Sequence, residues 1–449
     1  MKSLFRKPDF SRQWTIGTLT YSFSGIVTLF SLLLLGDFAN SIKGRSVFQL
    51  VQLMFKTYGA SDFLNTLMIV SLPCVLGLVL GPVVSVHSDR CRSRWGRRIP
   101  YLALTTPVAA LAIAGFAYSP AIGRTVAGWI GVAENPVILW TLGIFWGVFE
   151  VATVISGAIF GALVNDVVPH PLLGRFYGLF RIVSLLCGIL FNFWFLGFAA
   201  THSKILFLSV AVVYGVGFMY MCLKVREGEY PPPEKSERRG VFAAIATYCR
   251  ECYSKPYYLL IYCFGTAMAL AISPVNSFSM FYAQDLQIDM DIYGKFLAET
   301  YMISFVLSYF LGALADRIHP LRASILFMGL YAVMGIVSSF CIRDTASYGI
   351  AFVAHGVLAG GYLTVSASLF QRLLPRAQFA QFSSAGGLIS GIAMILLVPL
   401  IGKFLDWTGH QYQYTYLLGG LIALLSVVLG CVLYRQFRIR QAREGEDEE

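Results

Sequence analysis

The chain has 449 residues, of which 57% are hydrophobic and only 13% charged, against roughly 25% charged in a soluble domain. That composition excludes a soluble enzyme and a free nucleic-acid-binding domain, and identifies an integral membrane protein. The formal net charge of +10 is explained by basic loops gathered on one face of a bilayer, with no need for an acidic partner.

Twelve stretches reach the roughly 20 apolar residues that a membrane-spanning helix needs. They cover residues 13–37, 62–87, 100–118, 138–164, 176–199, 205–223, 257–282, 294–315, 322–341, 348–371, 380–402 and 414–434. The first follows MKSLFRKPDFSRQ and lacks a small-residue cleavage site, so it is expected to serve as its own insertion signal. Residues 38–61 are expected to form an external loop, with SVFQLVQLMF lying along the interface. After the second span come Arg90, Arg92, Arg94, Arg97 and Arg98, a basic burst hemmed in by apolar sequence. Basic residues in short loops stay cytoplasmic. With an even number of spans, both termini are then cytoplasmic. Of the 34 lysines and arginines, only Lys43, Arg45, Lys56, Arg124, Lys204, Lys295, Arg343 and Lys403 fall on the other side.

Residues 224–256 form the longest cytoplasmic connection, and the prolines of YPPPEKSERRG forbid a helix at its start. The chain therefore divides into an N-terminal six-helix bundle (1–223), a linker (224–256), a C-terminal six-helix bundle (257–436) and an acidic cytoplasmic tail (437–449). Internal symmetry supports two related bundles. Asp89-Arg90 closes the second span as GALADR closes the eighth, and Pro169 and Phe176 match Pro375 and Phe382 at one offset. The expected fold is all-α: twelve transmembrane helices in two pseudo-symmetric bundles, with a substrate site between them near the midplane.

Charged and polar side chains inside spans are the candidate site. Glu150 lies about 18 Å along the fourth span, where an ionised carboxylate is costly and a proton is readily carried. Trp146, Glu150, Thr153 and Gly157 fall on one helical stripe. Glu299, near the external end of span eight, is the second candidate for coupling. Asn192 and Trp194 in span five are candidate sugar contacts, and Arg181 on the same helix is expected to pair with Asp166 or to cap a loop network. In the second half, Asn276 follows Pro274, which frees the helix to kink, while His355 and Tyr362 share a face of span ten. Asp89, Arg90, Arg97, Arg98, Asp316 and Arg317 sit in cytoplasmic loops, and their mixed charge suits gating. The nine cysteines do not form a disulfide framework, and Cys249 and Cys252 lack the further ligands of a zinc site. GxxxxGK[ST], HExxH and GxSxG are absent, so no enzyme, cofactor or metal is expected.

Gly312-x-x-x-Asp316-Arg317, and Ser85-x-x-x-Asp89-Arg90 followed by Gly96-Arg97-Arg98, resemble the paired loop signature of the major facilitator superfamily. SDRCRSRWGRRIPY is similar to the corresponding loop of sucrose transporters and their glycoside–pentoside–hexuronide relatives. The resemblance implies alternating access, a small sugar such as sucrose or maltose as substrate, and proton coupling through the acidic residue of span four, here Glu150. It also implies a monomer in the plasma membrane whose partners are sugar, proton and lipid. Sodium coupling, proton-driven export of another solute, and a sugar sensor on the same fold are the alternative expectations.

Overall fold

The computed structural model describes residues 13–229, 241–366, 369–375 and 378–446. A two-stranded antiparallel hairpin opens the chain, β1 (Trp14–Ile16) pairing with β2 (Leu19–Tyr21). Helices follow: α1 (Phe23–Thr57), α2 (Asp62–Thr66), α3 (Leu72–Arg90), α4 (Ile99–Ile130), α5 (Glu134–Val167), α6 (His170–Leu190) and α7 (Ala199–Lys224). The second half holds α8 (Val241–Tyr253), α9 (Pro256–Asp285), α10 (Met290–Ile318), α11 (Pro320–Cys341), α12 (Thr345–Val365), α13 (Leu369–Leu373), α14 (Phe379–Trp407) and α15 (Gln413–Glu446). A π-helical turn, Leu67–Ser71, joins α2 to α3, and another, Phe191–Phe195, follows α6. Eleven helices among the described residues are long and apolar enough to cross a membrane, and the expected eighth span coincides with α10.

Two expectations near the N-terminus are corrected. The first span begins ten residues later than predicted, because residues 14–21 pair as a hairpin. It also does not end at residue 37: α1 runs for 35 residues, and the stretch read as an external loop continues the helix. The reason lies in its periodicity, since Leu33, Gly36, Lys43, Val47, Leu50 and Met54 are all buried at helical spacing. SVFQLVQLMF is therefore a packed helix and not an interfacial one. Within the expected linker, α8 is helical and packs on α14, where Tyr253 donates to the Ala385 carbonyl at 3.1 Å; the triple proline lies outside the described residues. At the other end, α15 continues to Glu446, through most of the expected tail.

The chain forms two compact units. One comprises residues 1–59, 76–191 and 201–235; the other comprises 60–75, 192–200 and 236–449. In the first, α4 packs on α5 and α1 on α6, with Phe30 meeting Phe176 edge-on at 4.7 Å. In the second, α9 and α11 pack on α15 and α10 on α12, while Tyr258 meets Phe382 edge-on at 4.6 Å. The two matched phenylalanines thus make the same kind of contact, each with an aromatic residue in the first third of a long helix, α1 or α9. Apolar side chains gain little from association in lipid, so close backbone approach carries much of the packing. Gly335 of α11 shows this: a Cβ there would stand 2.8 Å from the Tyr416 carbonyl and 3.0 Å from the Gly420 backbone.

The second unit includes α2, which lies against α14. Gly402 makes that contact possible, since a Cβ would meet the Asp62 carbonyl at 2.6 Å and the Thr66 hydroxyl at 2.7 Å. Gly402→Ala is therefore expected to cost about 1–3 kcal/mol through overpacking. Thermal unfolding in detergent checks this against Gly387→Ala on the same helix, where nothing lies within 4 Å of the added methyl. Gly402→Ala should lower the Tm by several degrees and Gly387→Ala should not lower it.

Candidate functional site

The first unit buries an acid and a base in its interior. Glu150 is on α5 and Lys43 on α1, 8% and 2% exposed. Each lies within the other's electrostatic reach, yet the Lys43 ammonium has no hydrogen-bond partner among the described residues. Aromatic faces hold it instead: the Tyr214 ring centroid is 4.5 Å from Nζ and the Phe149 centroid 5.8 Å. Each such contact is worth about 0.5–2 kcal/mol, more as the site dries. Below, Trp146 packs on Phe149 at 5.5 Å and on Phe116 at 6.2 Å, and Phe116 in turn on Phe207 at 5.4 Å. This bed fixes the helix face that carries Glu150.

Thr153, one turn along from Glu150, has a buried hydroxyl with no partner among the described residues. The stripe read from the sequence therefore brings together an aromatic platform, a carboxylate and an unused hydroxyl. Lys43 was missed because it was assigned to a loop. Asp37, the last residue of the expected first span, was missed as well; it is 7% exposed and about two turns back on α1. Beyond it Arg45 donates to the Ser184 hydroxyl at 3.1 Å.

In the second unit the predicted Asn276 and His355 meet. His355 Nε2 lies 3.0 Å from the Asn276 amide oxygen, and Nδ1 lies 2.8 Å from the Tyr331 hydroxyl. His355 is buried while Asn276 is exposed, so the imidazole acts through the amide and away from solvent. Phe352 stacks on the ring and Tyr416 meets its edge. Tyr362 is buried in the core around α9 and α11 and is not part of this chain of contacts. Helix α9 passes through Pro274 as one helix, although Pro274 cannot donate to the carbonyl one turn back. Asn192 is buried and its carbonyl lies directly against Gly294, whereas Trp194 is exposed and packs on Phe193. Glu299 is exposed.

The loop between α3 and α4 forms a separate network at the end of the first unit. Arg97 grips Asp166 with two bonds of 3.0 and 2.6 Å. Arg98 reaches Asp166 at 3.0 Å, Asp89 at 2.5 Å and the Ser88 hydroxyl. Glu227 caps α4 by accepting from the backbone N–H groups of Arg97, Arg98 and Ile99 at 2.9, 2.8 and 2.7 Å. Gly96 turns there with φ 104°, and any side chain would strike that carboxylate. Asp166 is thus taken by Arg97 and Arg98, and the expected partner Arg181 is exposed elsewhere. Arg90 is also exposed. The side chains of Asp316 and Arg317 lie outside the described residues. In the matching turn of the second unit, burial first and then Arg372 and Arg322 hold His319 below its usual pKa. It therefore stays neutral and its Nδ1 accepts from the Leu321 N–H at 3.2 Å. A cavity of about 820 Å³ opens beside Trp95, Cys222 and Glu229, at the helix ends. Asp166, at that end, is about 24 Å along the α5 axis from Glu150, so the cavity is not where the buried charges are.

Comparison with known proteins fits this geometry. The profile of the family described as MFS/sugar transport protein matches residues 34–379. The sucrose transport protein SUT1 of Oryza sativa subsp. japonica is 31% identical over 129 residues, covering 27% of this chain and 24% of that protein. Monocarboxylate transporter 2 of Rattus norvegicus is 32% identical over 102 residues, 21% of each chain. The matches thus span about a quarter of these curated relatives. Among solved structures, a bacterial homolog of the human lysosomal transporter Spinster, inward-facing and occupied, superposes with a TM-score of 0.65 at 13% identity, over 92% of this chain and 98% of that one. A D-xylose-proton symporter gives 0.58 at 13% identity, over 90% and 96%. The nucleoside transporter NupG, as a D323A mutant, gives 0.65 at 10% identity, over 90% and 100%. At such identities the likeness is one of fold.

Proposed function

The chain belongs to the family of MFS/sugar transport proteins, and from that premise we propose that it is a proton-coupled symporter of a small neutral sugar, a disaccharide such as sucrose or maltose. It is a multi-pass membrane transporter of small solutes and not an enzyme. The proton and the sugar are our reading, and one observation carries them. Lys43 and Glu150 share a buried site in which the ammonium has no hydrogen-bonding partner among the described residues.

A buried carboxylate needs either a proton or a counter-charge. Lys43 supplies the counter-charge when Glu150 is ionised, and an incoming proton takes over that role. Loading Glu150 then leaves the Lys43 ammonium without its counter-charge and ready to donate to a sugar hydroxyl, beside the unused Thr153 hydroxyl. Proton and sugar thereby favour one another's binding, which is the requirement for symport. The similarity of part of the chain to a sucrose transport protein supports a disaccharide. We assign the Asp89, Arg97 and Arg98 network to the cytoplasmic gate, with both termini in the cytoplasm and the chain in the plasma membrane.

The experiment is uptake of radiolabelled sucrose and maltose into proteoliposomes under an inward proton gradient, repeated with sodium and with the gradient collapsed. Accumulation of either sugar that follows the proton gradient is the expected result. Accumulation that follows sodium would overturn the proton assignment, and none with either sugar would overturn the substrate.

A further inference from the structure

Where α2 begins and α14 ends, Asp62, Asp406 and His410 bring one ligand atom each within 4.8 Å of the others. The Asp62 side chain is fully buried, while that of His410 is 48% exposed. Asp62 Oδ2 lies 2.7 Å from His410 Nδ1, and Tyr412 donates its hydroxyl to Asp62 Oδ1 at 3.2 Å. Asp406 accepts from the backbone N–H groups of Asp62 and Phe63 at 2.8 and 2.9 Å, and its Oδ1 stands 3.9 Å from the same Nδ1. Two carboxylates therefore flank one ring nitrogen, each already fixed by a further donor.

Like charges at this separation repel unless a proton or a cation lies between them. A carboxylate offers about four lone-pair directions, so an acid that accepts hydrogen bonds can also coordinate. One imidazole with two carboxylates suits zinc and its first-row neighbours, whereas calcium and magnesium prefer oxygen alone. Ligand atoms around a tetrahedral zinc lie about 3.3 Å apart, a value bracketed by the 2.7 and 3.9 Å separations seen here. Backbone geometry holds the ring in place: Gly409 and His410 both take left-handed φ, 72° and 63°, and the His410 N–H donates to the Leu405 carbonyl at 2.9 Å.

We propose that Asp62, Asp406 and His410 form a binding site for a divalent transition-metal cation of the zinc type, which ties the start of α2 to the end of α14. Asp62 and His410 would then be ligands held by Tyr412 and the 409–410 turn, and Asp406 a ligand held by the α2 backbone. Because the imidazole must be free of its proton to coordinate, affinity falls as pH falls.

The test is a zinc titration of the purified full-length protein in detergent, carrying an affinity tag without histidine, read by calorimetry and by thermal unfolding. One ion should bind, and the Tm should climb with the logarithm of zinc concentration. Cobalt should give a spectrum free of thiolate charge-transfer bands, which sets aside the nine cysteines. His410→Asn is the decisive variant: asparagine tolerates the left-handed backbone and still donates toward Asp62, so the metal-free Tm should hold while zinc affinity falls by at least about 10-fold. Tyr412→Phe, which removes the hydroxyl that supports Asp62, should weaken binding about 10–100-fold. No zinc binding by the wild type, or equal affinity in wild type and His410→Asn, would overturn the site and leave a hydrogen-bonded pair. None of these readouts involves transport, so they fail or succeed apart from the symport reading.

Discussion

Glu150→Gln is expected to bring the steady-state accumulation ratio of the transported sugar down to one, while exchange of internal for external sugar continues at close to the wild-type rate. A membrane potential of 100 mV is worth about 2.3 kcal/mol per charge, which sets a ceiling of about 50-fold accumulation for one proton per sugar. The whole of that factor should vanish, because glutamine matches the shape of a protonated glutamate but never releases a proton. It also preserves the packing on Trp146 and Phe149, so exchange, which needs binding and rocking but no net proton movement, should survive. Parallel measurements of counterflow and of accumulation in proteoliposomes separate the two. Loss of both would make Glu150 a structural or sugar-binding residue. Accumulation unchanged from wild type would move the coupling elsewhere, first to Asp37, the other buried carboxylate among the described residues of the first unit.

Glu150 was legible in the sequence because depth along a span and helical spacing are both linear properties. Eleven of the expected spans recur as long apolar helices by the same logic. Lys43 was not legible: three charges, Asp37, Lys43 and Arg45, interrupt the apolar run, and a window average ends the span at the first of them. The periodicity nevertheless carries on through Lys43 to Met54, and following it past the charges would have placed the ammonium on a buried face. Arg97 and Arg98 were recognised as a pair, but their shared acid, Asp166, depends on how α4 meets α5, which spacing does not encode. The zinc-type cluster is the extreme case, with Asp62 and Asp406 separated by 344 positions. No motif search joins ligands that far apart; only the packing of α2 on α14 does.

Lys43→Met is expected to destabilise the first unit by about 2–3 kcal/mol, because it removes the counter-charge of the buried Glu150 carboxylate and leaves a proton to neutralise it. Methionine retains a flexible apolar stem against Phe149 and Tyr214, so a packing loss alone would stay below about 1.5 kcal/mol. The size of the loss thus tells charge from volume. The companion variant Lys43→Met/Glu150→Gln removes both charges, and should regain much of the stability, with a coupling energy of about 1–3 kcal/mol in the double-mutant cycle. Thermal unfolding of the four proteins in detergent measures this without substrate. Strict additivity would mean that the two groups do not sense one another, and the proposed exchange of counter-charge for proton would fall with it. If the cycle shows coupling, the double variant becomes the sharper test of function. It is folded and has no proton to carry, so it should bind sugar more weakly for want of the ammonium and accumulate none, which assigns to Lys43 a part in both stability and recognition.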